Sequence, residues 1–125
     1  MAVIDVHTHM LTEEYLAFLS ANGGPRYERK TTRAGQDSIF MLGAPFMTLM
    51  AEMWDYDARI GDMDKAGVDL AIVSLTCPNA YFGDVTVSTR AATMVNDDMA
   101  EQHRARPDRI AWFASLPWQI GRAHV

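Results

Sequence analysis

Cysteine is almost missing from this sequence: of 125 residues only Cys77 carries a thiol. An internal disulfide is thereby excluded, and a reducing, cytoplasmic setting is expected. Apolar runs of the roughly 18 residues needed to span a bilayer do not occur. Asp5, His7 and His9 interrupt the N-terminus where a signal peptide would need an unbroken apolar stretch. Positive charge is also short. Eleven Lys and Arg stand against 16 Asp and Glu, a net charge of −5, which argues against a phosphate-binding surface and hence against nucleic acid as a partner. Only four histidines are present, at 7, 9, 103 and 124, so the position of each one matters. The chain does have 49% hydrophobic and 22% charged residues, the make-up of one globular domain with a modest core.

The order of local signals predicts alternating strands and helices. Ala2 to His7 reads as a short β-branched strand. Thr12 is placed to cap a helix with Glu13 and Glu14 in its first turn and Tyr15, Leu16 and Leu19 on its apolar side, stopped at Asn22-Gly23-Gly24-Pro25. Residues 25–54 break the rhythm. A basic cluster (Arg26, Arg29, Lys30, Arg33), three turn-forming residues and a methionine-rich stretch suggest an inserted hairpin or lid.

Asp55 or Asp57 then caps a helix with Ile60, Met63 and Ala66 inward and Gly67 as its left-handed terminator. Asp69 to Ser74 is a strand with four consecutive apolar positions, as expected when both faces are covered. A helix from about Ser88 to Arg106, with Ala92, Val95 and Met99 on one stripe, leads to a last strand from Ile110 to Leu116.

Strands separated by helices imply parallel crossovers. The fold class is α/β, with about three parallel strands, too few to close an eight-stranded barrel of about 250 residues. The expectation is therefore the N-terminal part of a (β/α)8 TIM barrel, unclosed as given. Residues 1–119 form the partial barrel and 25–54 its insertion. The last six residues, 120–125, back-translate to the opening of a common sequencing adapter and are set apart from the fold.

The strongest chemical signal is Asp5-Val6-His7-Thr8-His9. In a regular strand, residues two apart share a face, roughly 6.6–6.8 Å apart at Cα, so both imidazoles can lean onto one ion at about 2.0–2.1 Å. By the same alternation Asp5 shares their side, where a structural hydrogen bond is expected of it, while Ile4, Val6 and Thr8 face covering helices. The C-terminal end of a barrel strand is where such enzymes keep their chemistry. A catalytic zinc uses three or more protein ligands. His103 reads as part of a solvated helix end and His124 falls in the adapter-like tail, so the remaining ligands are expected beyond this chain.

The stretch Val3 to Met10, followed by residues 54–69, Asn96 to Ala100, Pro107 to Ile110 and Ser115 to Gln119, resembles the amidohydrolase superfamily, within it the branch of aminocarboxymuconate-semialdehyde decarboxylase. The resemblance implies a divalent metal, zinc as a rule, held by His7 and His9. It implies non-oxidative decarboxylation of a carboxylated muconate semialdehyde or aromatic acid, a small-molecule carboxylic acid partner and a homodimeric parent. It also implies a substrate-binding arginine near Phe46, where this sequence has Met47; Arg26, Arg29 and Arg33 are the substitutes at hand.

Trp54 reads as a lid over the site or a hydrophobic anchor. Asn79 and Tyr81, on the loop after the second parallel strand, are candidate substrate contacts. Cys77 reads as a small buried thiol and Asn96 as a packed polar residue. Metal-dependent hydrolysis of a lactone, amide or related diacid is the rival chemistry, and a non-catalytic binding module the rival class. The chain alone is expected to be inactive.

Overall fold

The computed structural model describes residues 1–117; the expectations for 120–125 and for His124 lie outside the described residues. The elements run β1 (Ile4–His9), α1 (Glu13–Asn22), β2 (Tyr27–Thr31), β3 (Asp37–Met41), β4 (Ala44–Thr48), α2 (Tyr56–Ala66), β5 (Leu70–Ser74), α3 (Val85–Ala105) and β6 (Ile110–Trp112), with a single 3-10 turn at Ala51–Met53. β1, β5 and β6 lie side by side in that order and run parallel, while β2, β3 and β4 form an antiparallel meander. In the parallel part strands alternate with helices, as the order of local signals predicts.

The helices begin and end where the sequence chemistry requires. Thr12 Oγ1 accepts the Tyr15 N–H at 2.9 Å, and Glu13 and Glu14 sit at the positive end of the α1 dipole. Asp55 Oδ1 accepts the N–H groups of Asp57 and Ala58, and Gly67 closes α2 at φ 70°, a conformation that costs any side chain with a Cβ. The buried positions of α2 are Tyr56 and Met63; Ala66, expected inward, is exposed because it lies in the last turn. Asp84 starts α3 ahead of the expected Ser88, and Ala92, Val95 and Met99 are buried as their stripe predicts.

One face of the parallel sheet is covered. In β5, Ala71 and Val73 are buried while Leu70, Ile72 and Ser74 are half-exposed, so the apolar run reflects one covered face rather than two. β6 is shorter than expected. After Trp112 the chain is held instead by Asn96, whose amide donates to the Ser115 carbonyl at 2.9 Å and whose Oδ1 accepts the Ser115 N–H at 2.8 Å. At the opposite end of the sheet Arg109 donates to the carbonyls of Asp69 and Val68 and pairs with Asp64 at 2.7 Å, tying α2, β5 and β6 together.

β1 departs from regular alternation. Asp5 pairs with Ala71 and Thr8 with Val73, so Val6 and His7 together oppose the single residue Ile72. This is a β-bulge, and it shifts the phase of the strand. Asp5 pairs with a buried residue, whereas Ile4 and Val6 are 49% and 64% exposed. The expected grouping of Asp5 with the histidines, and of Ile4 and Val6 with the covered side, is corrected accordingly; only Thr8 keeps its expected burial.

Residues 27–48 are a three-stranded unit rather than a single hairpin. Leu42 and Gly43 form the β3–β4 turn at φ 52° and 84°, a two-residue hairpin with both central residues left-handed. Three of the four residues of the basic cluster are engaged locally. Arg29 pairs with Asp37 at 2.6 Å, Lys30 pairs with Glu28, and the Arg26 guanidinium lies 5.6 Å from the Tyr27 ring centroid. Tyr27, Ile39 and Leu49 join the meander to the common core. Among the described residues no helix is long and apolar enough to cross a membrane.

Candidate metal centre

β1 ends in two imidazoles. The His7 and His9 ring centroids are 5.1 Å apart with the planes at 75°. Two imidazoles sharing one tetrahedral ion at about 2.0–2.1 Å place their centroids about 5 Å apart, so the pair already has the spacing of a shared cation. His7 is exposed and His9 half-buried, which leaves the rings open on the uncovered side of the sheet. The Asp5 carboxylate does not join them; its Oδ1 accepts the His7 backbone N–H at 3.0 Å, the structural role expected of it.

His9 is fixed at several points. It pairs with Ser74 in the sheet, and its Nδ1 lies 3.1 Å from Ser74 Oγ. Its carbonyl accepts a hydrogen bond from Arg59 Nη2 at 3.1 Å, reaching across from the first turns of α2. Neither Ser74 nor Arg59 stood out among the sequence motifs. Ser74 did carry a signal: it is the polar residue ending an apolar strand, where barrel chemistry resides. Arg59 carried none, since a charged residue in an amphipathic helix reads as solvated.

The other candidates lie elsewhere or are engaged. Asn79 donates its amide to the Leu75 carbonyl at 3.2 Å and its Oδ1 accepts the Ala80 N–H at 2.8 Å. The Asn79 carbonyl accepts the Tyr15 hydroxyl at 2.6 Å, and burial pushes that phenol well above its usual range, keeping it a proton donor. Tyr81 donates its hydroxyl to the Leu116 carbonyl at 2.9 Å. Trp54 is half-buried and, with Thr12, Tyr56 and Arg106, lines a groove of about 460 Å³ that contains neither His7 nor His9. Cys77, expected buried, is exposed.

His103 corrects another expectation. Its Nδ1 lies 2.6 Å from the Ile110 carbonyl, so it ties the end of α3 to the start of β6 and is not simply solvated. Among the described residues no group of three or more His, Cys, Asp or Glu side chains converges to hold an ion. The two imidazoles fit a divalent cation in donor type and in spacing.

No family model matches the chain. It is 29% identical over 117 residues to 2-amino-3-carboxymuconate-6-semialdehyde decarboxylase of Caenorhabditis elegans, covering 91% of this chain and 29% of that protein. The apo structure of IDCase from Metarhizium anisopliae superposes with a TM-score of 0.80 at 23% identity, over 93% of this chain and 35% of that one. A dihydroxybenzoic acid decarboxylase from Polaromonas sp. JS666, solved with bound manganese and 2-nitroresorcinol, superposes with a TM-score of 0.65 at 27% identity, over 95% of this chain and 31% of that one. The chain therefore spans about three tenths of the length of the proteins it matches. In sequence and in fold it is similar to the N-terminal part of decarboxylases of the amidohydrolase type.

Proposed function

We propose that this chain carries the first half of a zinc site, His7 and His9, belonging to a non-oxidative decarboxylase of a carboxylated muconate semialdehyde or a hydroxylated aromatic acid. The observation that carries this reading is the 5.1 Å approach of the two rings at the C-terminal end of the first parallel strand. The relatives support the reaction class, since two of those named above are decarboxylases and one of these was solved with bound manganese. A bound divalent cation would act as a Lewis acid toward a substrate oxygen. The chain's own contribution is orientation: β1 presents both imidazoles, Ser74 and Arg59 hold His9, and Asp5 fixes the backbone of His7. Tyr81 and Asn79 have their polar atoms engaged within the protein, which leaves the Tyr81 ring as the surface this loop would offer to a substrate.

Titration of the 125-residue chain with zinc, followed by imidazole NMR signals, tests the ligand assignment. Zinc is expected to shift His7 and His9 together, and His7→Ala or His9→Ala to abolish the response of the ring that remains. A response confined to His103, or none, overturns it. Two nitrogens fall short of the three protein ligands a catalytic zinc uses, so the chain alone is expected to release no carbon dioxide from 2,6-dihydroxybenzoate or aminocarboxymuconate semialdehyde. A chain that supplies the further ligands is expected to release it and to leave no oxygen from labelled water in the organic product. Uptake of the label would instead indicate hydrolysis.

A further inference from the structure

Ser74 stands where one hydroxyl can decide which nitrogen of His9 is available. Its backbone is fixed against β1: the Met10 N–H donates to the Ser74 carbonyl at 3.1 Å, and Ser74 pairs with His9 in the parallel ladder. Its Oγ lies 3.1 Å from His9 Nδ1 and 3.5 Å from the Thr8 carbonyl. A hydroxyl has one proton to give. The Thr8 carbonyl can only accept and lies within reach of that proton. A hydroxyl turned toward it presents its lone pairs to Nδ1, as the acceptor of an Nδ1–H.

We propose that Ser74 is a positioning residue that holds His9 as its Nδ1–H tautomer, leaving the lone pair of Nε2 for a cation. A neutral imidazole has one protonated and one bare nitrogen, and the partner of the first sets which is which. Without Ser74 the proton is free to occupy Nε2, the nitrogen a metal needs bare. The Arg59 bond to the His9 carbonyl adds no preference between the ring nitrogens, because it touches only the backbone. The sequence pattern is consistent with this role: β5 is apolar from Leu70 to Val73 and turns polar at the one residue that meets His9.

The inference rests on the reading of His7 and His9 as ligands, and the test separates the two. Long-range nitrogen–proton NMR on the 125-residue chain, recorded without metal and above the imidazole titration range, reports the tautomer of His9 directly. Wild type is expected to show Nδ1–H. Ser74→Ala is expected to move the proton to Nε2 and to weaken zinc binding about tenfold, in line with the loss of an outer hydrogen-bond partner. Ser74→Thr, which keeps the hydroxyl and suits a strand, is expected to restore both. An Nε2–H signal in wild type, or a tautomer indifferent to Ser74→Ala, overturns the proposal. If the tautomer follows Ser74 while zinc perturbs neither ring, the wiring stands and the ligand assignment of His7 and His9 fails.

Discussion

The two sheets of this chain are built by different rules. In the parallel sheet, each strand is separated from the next by at least one helix, and its covered face is sealed by Ala71, Val73 and Ile110 beneath the helices. In the antiparallel meander, neighbours in sequence are neighbours in space, and Tyr27, Ile39 and Leu49 are its buried apolar links to the core. The first arrangement leaves a free strand end where side chains such as His7 and His9 can converge. The second consumes its own charges, Arg29 on Asp37 and Lys30 on Glu28, and offers little for binding. Topology, more than composition, decides where chemistry can be placed.

The sharpest way to break this contrast is to cut a cavity in each part. Leu16 and Ile39 are both fully buried. Leu16→Ala is expected to cost about 2–5 kcal/mol and to lower the single melting transition of the whole chain, read by circular dichroism. Ile39→Ala removes similar volume, but its loss is expected to fall on residues 27–48, where amide exchange accelerates while Leu70–Ser74 stays protected. Equal loss of protection in both regions would erase the distinction.

A smaller effect is expected at the entry to α2. Asp55→Ala deletes the acceptor of two backbone N–H groups and should lower stability to urea by about 1 kcal/mol. Because α2 carries Arg59 to the His9 carbonyl, exchange at residues 56–59 should rise first.

The smallest effect concerns acid. Arg29 holds the Asp37 carboxyl below the usual carboxylate range, chiefly through their hydrogen bond. A depressed value means that the pair stabilises the meander above the ordinary carboxylate pKa of about 4, and that this contribution fades as pH falls through the lower folded value. Both side chains are partly solvated, so it is worth at most about 1 kcal/mol. Asp37→Asn should therefore lower the melting temperature slightly at pH 7, and the difference from wild type should narrow below about pH 4.

The parallel part was legible because its signals are local and redundant. Thr12 with Glu13 and Glu14, Asp55 with Gly67, and the stripe of Ala92, Val95 and Met99 each name an element boundary or a buried side. The meander was illegible because its decisive turn starts at Leu42, φ 52°, where asparagine or aspartate would have announced a hairpin. His7 and His9 were found from their spacing, and the structure brings their rings together. Ser74 and the His103 bond to Ile110 depend on which strand lies beside which, information that residue spacing along one segment does not contain.

The extra residue in β1 has a consequence for anyone who would edit this chain. The strand behaves as two short rods joined out of step: Ile4 and Asp5 keep time with Leu70 and Ala71, Thr8 and His9 with Val73 and Ser74. Excising one residue at the joint would bring the rods back into step yet leave Asp5 beside Ala71 on the covered face, across the strand from the imidazoles, so a trimmed strand would gain regularity without gaining a carboxylate for the nitrogen pair.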